Sequence, residues 1–255
     1  MSPDLVPGIP VSYTHLYNRD GKVILDKMVR AIQENKDYLG EVDGLIGDGD
    51  HGMNMNKGFT LFQQRYQHQN YSFTEGLEYL GGILFNEIGG SMGPIYGTLL
   101  SSMTETVNTA GSGTEDVGGT VMEDISGTEN GNTANMSAGD IKINLEVFCR
   151  MLSHGMEELF DIIDARAGDK TLVDTLYPAV ESLRSSVAEK RPFREALLLM
   201  KEAAEQGRDS TVGMIARYGR SSRLGERSRG VPDAGAVSCC LLLTSMADGI
   251  LDLIS

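Results

Sequence analysis

Residues 21–66 read GKVILDKMVRAIQENKDYLGEVDGLIGDGDHGMNMNKGFTLFQQRY. Val23, Ile24, Met28, Val29 and Ile32 recur at spacings of three and four, which puts them on one face of a helix expected to end near Leu39 or Gly40. Phe59, Leu61, Phe62 and Tyr66 mark a second such face. Between the two lie Asp43, Asp48 and Asp50 among glycines. Three carboxylates in so short a loop repel one another unless a cation sits among them, and hard oxygen donors without cysteine suit Mg²⁺, Mn²⁺ or Ca²⁺ better than zinc. An EF-hand is excluded, because counting from Asp48 the fifth position is Gly52, the glycine position is Met53 and the twelfth is Phe59 instead of Glu. A solvated acidic turn with Asp50 or Asn54 as a helix cap is the other reading of these residues.

Helical stripes continue outward from this loop. They fall at Leu77, Leu80, Leu84 and Ile88, then after Pro94 at Ile95, Leu99 and Met103, and again at Ile141, Leu145, Phe148 and Leu152. A sixth helix is predicted from Thr171 to Glu189 with a kink at Pro178, a seventh from Pro192 to Tyr218, and an eighth capped by Asp233 and running to Leu253. Strand-like alternation is not convincing anywhere, so the expected fold is all-α, eight antiparallel up-and-down helices forming a bundle or barrel. Residues 1–20 carry three prolines and read as an N-terminal extension to a helical domain spanning 21–255. From about 104 to 139 the composition falls to Gly, Ser, Thr, Asn and acids, which predicts a flexible excursion, with Ser137 and Asp140 as a capping box where order resumes.

The 255 residues carry 36 acidic against 22 basic side chains, a formal charge of −14. That balance argues against duplex nucleic acid and anionic membrane as partners. Cys149, Cys239 and Cys240 have neither disulfide-framework nor metal-type spacing, which favours a reducing, cytoplasmic setting. No stretch of about 18 apolar residues and no signal-peptide order is apparent, so neither export nor a membrane span is expected. His15, His68 and His154 are scattered and suggest no metal cluster.

Three further loops resemble the first in chemistry. Gly89-Gly-Ser-Met92-Gly93-Pro94 offers amides at a helix start, or simply a tight corner between helices. Gly168-Asp-Lys-Thr171 reads as a turn and cap. Arg217, Arg220, Arg223, Arg227 and Arg229 crowd a Gly/Ser-rich stretch ahead of Asp233, suited to phosphate or carboxylate but equally to surface ion pairs. Each of the four loops precedes an even-numbered helix, so in an up-and-down bundle all four gather at one end. A metal-nucleotide site at that end is the expectation.

The segments GDGDHGMNMNKGF, GGSMGPIYGTL, AGDKTLVDTLYPAVESL and GRSSRLGERSRGVPDAGA resemble, in this order, the nucleotide-binding L subunit of the dihydroxyacetone kinase family. The resemblance implies an eight-helix barrel holding ADP or ATP at one end through two Mg²⁺ ions, with Asp43, Asp48 and Asp50 as metal ligands. It carries nucleotide contacts to His51, Gly52, Met53 and Asn54, to Met92 and Gly93, to Arg220, and to Asp233, Ala234 and Gly235, with Leu172 against the base. Relatives usually have serine at the place of Met92 and proline at those of Ala167 and Ala234.

In such a system the ketose is held covalently by a histidine of a separate K subunit. A phosphotransferase-system M subunit that recharges bound ADP, ATP exchange from solution, and a homodimer are all compatible with the resemblance, as are dihydroxyacetone, erythrulose or another short ketose. Arg220 is then the charge stabiliser and no residue of this chain is the general base. A non-catalytic nucleotide sensor that binds a regulatory partner is the reading from a different functional class.

Overall fold

A computed structural model describes residues 14–111 and 138–254. Helix α1 (Lys22–Glu34) buries Ile24, Leu25, Met28, Val29 and Ile32, the stripe read from the sequence. The chain does not leave the helix at Leu39 or Gly40 as expected. It breaks at Asn35, whose side-chain amide donates to the Ala31 carbonyl at 2.8 Å, and resumes as α2 (Lys36–Ile46), with Leu39, Val42 and Ile46 buried. Gly40 and Gly44 weaken the helical signal there, and tertiary packing of α2 overrides it.

Seven more helices follow among the described residues: α3 (His51–Tyr66), α4 (Phe73–Glu87), α5 (Met92–Gly111), α6 (Leu145–Ile162), α7 (Val173–Ala188), α8 (Phe193–Ser210) and α9 (Ala234–Leu253). Taking α1 and α2 as one interrupted helix restores eight. Successive helices pack on one another from α3 to α9, and α9 returns to α1, which closes the ring. By length and composition α9 is the one described helix apolar enough to cross a membrane, but 78% of that window is buried inside the protein. Its apolarity serves the core.

Several boundaries differ from expectation. Of the flexible excursion predicted from 104 to 139, residues 104–111 belong to α5 and 138–139 to a 3-10 turn (Ala138–Asp140), while the rest, with Ser137 of the expected capping box, lies outside the described residues. Asn144 caps α6 instead, its Oδ1 accepting from the Val147 amide at 2.9 Å. Helix seven was expected to reach Tyr218, yet α8 stops at Ser210, where the Ser210 and Thr211 hydroxyls each donate to a carbonyl three residues back at 2.6 Å. Pro178 sits inside α7 without ending it.

The expected extension is partly fold. Strand β1 (His15–Tyr17) pairs antiparallel with β2 (Lys142–Asn144), setting buried Leu16 opposite buried Ile143. Asn18 then joins the start of α4, donating to Thr74 Oγ1 at 2.9 Å and accepting from the Thr74 amide at 3.0 Å. Three-residue strands are too short to show alternation.

Candidate functional site at the loop end of the ring

The acidic loop joins α2 to α3. Gly49 takes φ +77°, a left-handed turn that a side chain resists, and Asp48 and Asp50 flank it. At Gly52 a Cβ atom would stand 2.0 Å from the Lys36 carbonyl oxygen, so only glycine lets α3 start against α2. The result brings carboxylate oxygens of Asp43, Asp48 and Asp50 within 4.8 Å of one another. Asp43 Oδ2 also accepts from the His51 amide at 3.3 Å. The guanidinium of Arg220, from the basic loop far along the chain, contacts Asp48 and lies 3.7 Å from Asp50. A cation therefore already offsets the crowded charges.

Behind the acids, His51 is buried and joined to Ser238 Oγ at 2.8 Å. Ser238 meets the Tyr96 hydroxyl at 2.6 Å, and that hydroxyl donates to the Gly235 carbonyl at 3.1 Å. Burial pulls the His51 pKa down to about 4, so its imidazole is neutral near pH 7. This polar chain ties the start of α3 to α5 and α9.

Asp233 caps α9, its Oδ1 accepting from the Ala236 amide at 2.8 Å. Burial pushes its carboxyl up to about 7, against the pull of the Ala236 amide and of Lys170, while Asp174 adds to the rise. Lys170 is fully buried, and burial lowers its pKa, with Asp233 opposing.

All four glycine-rich loops line one cavity of about 430 Å³. Of the residues singled out in the sequence, the wall includes Asp43, Asp48, Asp50, His51, Asn54, Met92, Leu172, Arg220, Asp233, Ala234 and Gly235. Three lie off it. Met53 is 60% exposed on α3, Gly52 packs on α2, and Gly93 abuts the carbonyls of Leu84 and Ile88. Tyr96, Lys170 and Tyr218 also line the cavity, and Ser238 stands behind Tyr96; sequence reading had given none of them a role at the site. Tyr96 and Lys170 lie inside two of the resemblance motifs, the one signal that could have flagged them. A more open recess of about 610 Å³ between α3, α4 and α5 holds none of the expected residues.

The ADP-binding subunit DhaL of a PEP-dependent dihydroxyacetone kinase from Escherichia coli (strain K12) is 30% identical over 214 residues, 83% of this chain and 87% of that one. A second such subunit, of PEP-dependent dihydroxyacetone kinase 2 from Listeria innocua serovar 6a, is 27% identical over 230 residues, covering 89% and 92% of the two chains. Among solved structures, the dihydroxyacetone kinase from C. freundii in complex with AMP-PNP and Mg²⁺ aligns with 97% of this chain at a TM-score of 0.60. At 16% identity and 37% of the length of that longer chain, this likeness is one of fold. The DAK2 domain model matches residues 45–248, and the chain belongs to that family.

Proposed function

We propose that this chain is the nucleotide-binding subunit of a kinase for a short ketose, holding ADP or ATP with Mg²⁺ while the ketose is carried by a separate K-type subunit. One observation supports this above all: a trio of carboxylates, an arginine and three other loops, distant in sequence, meet on a single cavity. The names and lengths of the two ADP-binding relatives agree with it.

The donor set fits magnesium. Three oxygen ligands stand close enough to share ions, side chains of Asp48 and Asp50 are 44% and 41% exposed, and the open side leaves room for water and phosphate oxygens. Two ions are what the resemblance to the dihydroxyacetone kinase L subunit implies, and we adopt that number here. When bound, Mg²⁺ draws charge off the phosphate oxygens and holds them in place for transfer.

The protein's own part is positional. Asp43, Asp48 and Asp50 anchor the charged end of the nucleotide, and the starts of α3 and α5, where His51, Asn54 and Met92 line the cavity, turn their positive ends toward it. Leu172 and Ala234 give the base an apolar seat. Arg220 exchanges its carboxylate contacts for the transferring phosphoryl group. Neutral His51 steadies the loop through Ser238. No group on this chain is assigned as general base, a role left to the partner. We further infer a cytoplasmic protein, from its three free, buried cysteines, with an M-type subunit or exchange from solution supplying the phosphoryl group.

The test begins with purified protein, heated and precipitated in the presence of magnesium. It should release adenine nucleotide in about one-to-one ratio, as a fold that binds its ligand tightly retains it. Asp48→Asn should abolish that retention, and unchanged nucleotide content in the variant would remove the role given to this loop. Transfer to dihydroxyacetone or erythrulose only on addition of a ketose-binding subunit completes the kinase reading. Tight nucleotide without transfer in any pairing would point instead to a nucleotide sensor.

A further inference from the structure

Among the described residues, no carboxylate is in hydrogen-bond contact with Lys170. Its ammonium, fully buried, donates instead to main-chain carbonyls of Val231 at 2.6 Å, Ser228 at 2.7 Å and Thr211 at 2.8 Å, with Met214 at 3.4 Å. Three short contacts match three N–H donors. The carbonyls come from both feet of one loop, the stretch from 211 to 231 that carries Arg220 on its 3-10 segment Arg220–Ser228. A lysine placed at this centre does what a bound monovalent cation would do: it draws carbonyl dipoles from two strands of a loop onto one positive point.

The backbone is bent to deliver it. Lys170 takes φ +62°, one of two non-glycine residues in the left-handed region among those described. Buried Asp174 holds that turn, accepting from the amides of Gly168 at 2.5 Å and Thr171 at 2.8 Å. Strain of this kind persists only where surrounding contacts enforce it.

The geometry points to Lys170 as a positioning residue for phosphoryl transfer: its ammonium closes the base of the 211–231 loop and so sets where Arg220 stands over the nucleotide's terminal phosphate. The inference rests on the kinase reading above.

Alanine at 170 bears the same left-handed backbone cost as lysine, so Lys170→Ala removes the ammonium and its stem without changing the backbone strain, and leaves a carbonyl cage open to a small cation. Magnesium-ADP and magnesium-ATP affinities are measured for wild type, Lys170→Ala, Arg220→Ala and the double variant. Failure of the wild type to bind either nucleotide would end the kinase reading, and the loop claim would then stand or fall on amide exchange. Lys170→Ala should weaken ATP about tenfold or more while ADP changes less than about threefold, the loss of one charge-assisted contact to the terminal phosphate. The double variant should be no worse than Arg220→Ala, since both act through one contact. Ethylammonium or ammonium at millimolar levels should restore the ATP preference of Lys170→Ala and slow amide exchange in 214–231, whereas tetramethylammonium should not. Additive losses, equal losses for both nucleotides, or amine-independent behaviour would overturn the proposal. Should the variant fail to fold, acetic anhydride is applied to the wild type: Lys170 is expected to react at least ~100-fold more slowly than surface lysines, because the reagent reaches its buried, hydrogen-bonded nitrogen only when the loop opens. Reaction at the surface rate would overturn the cage.

Discussion

Asp233 has two roles that oppose each other. As the cap of α9 it serves best when ionised, yet its seat between Lys170 and Asp174 is desolvated enough to push its pKa up to about 7. In the nucleotide-free protein the folded form therefore holds a proton that the unfolded chain, titrating near its ordinary value, has released. Folding takes up that proton between about pH 4 and pH 7, so the contribution of this group to stability falls as pH rises through that window and is level above it. The slope reaches ~1.4 kcal/mol per pH unit. Asn caps a helix well and mimics the neutral acid, so Asp233→Asn should flatten the fall. Urea midpoints taken from pH 4.5 to 8 would decide, and parallel curves for variant and wild type would sink the assignment. At this scale the sequence exposed groups that conflict with their neighbours, such as the crowded acids around Asp48. It hid groups whose meaning is purely tertiary. Nothing near Ser238 in sequence shows that it will bridge His51 to Tyr96.

Helix stripes were readable because one buried face repeats every three or four residues. Their ends were not, because ends are set by competition between local hydrogen bonds and packing. Asn35 and Ser210 end helices through side-chain bonds that periodicity does not register, and Gly40 passes for a terminus although packing carries the helix through it. The start of α4 shows the same physics acting in favour of order. Ser72 Oγ accepts from the Glu75 amide at 3.3 Å and Glu75 Oε2 accepts from the Ser72 amide at 2.8 Å, a reciprocal box beneath the Asn18 contact. Ser72→Ala should cost about 1 kcal/mol, seen as a lower urea midpoint with an unchanged slope. A change of slope would mean that α4 no longer folds with the rest.

Across the whole molecule, the ring brings the first helix against the last, and the cavity draws walls from α2, α3, α5, α7 and α9 or the loops beside them. A ligand there cross-links elements from both halves of the chain. Magnesium-ADP at 100 times its dissociation constant should thus raise stability by about 2.7 kcal/mol, which for a chain of this size means a rise in Tm of roughly 5–10 °C. EDTA should erase the rise; an equal gain with and without the metal would detach nucleotide binding from the carboxylates.

Helix α5 leaves the cavity at Met92 and α6 comes back to it just beyond Ile162, so Gly111 and Ala138 stand at the far pole, about 30 Å away along a 20-residue helix. A probe joined to the chain at Gly111 or Ala138 through a short tether is that far from the bound nucleotide and should not perturb it. The protein thus offers its engineers two attachment points on the side turned away from its chemistry.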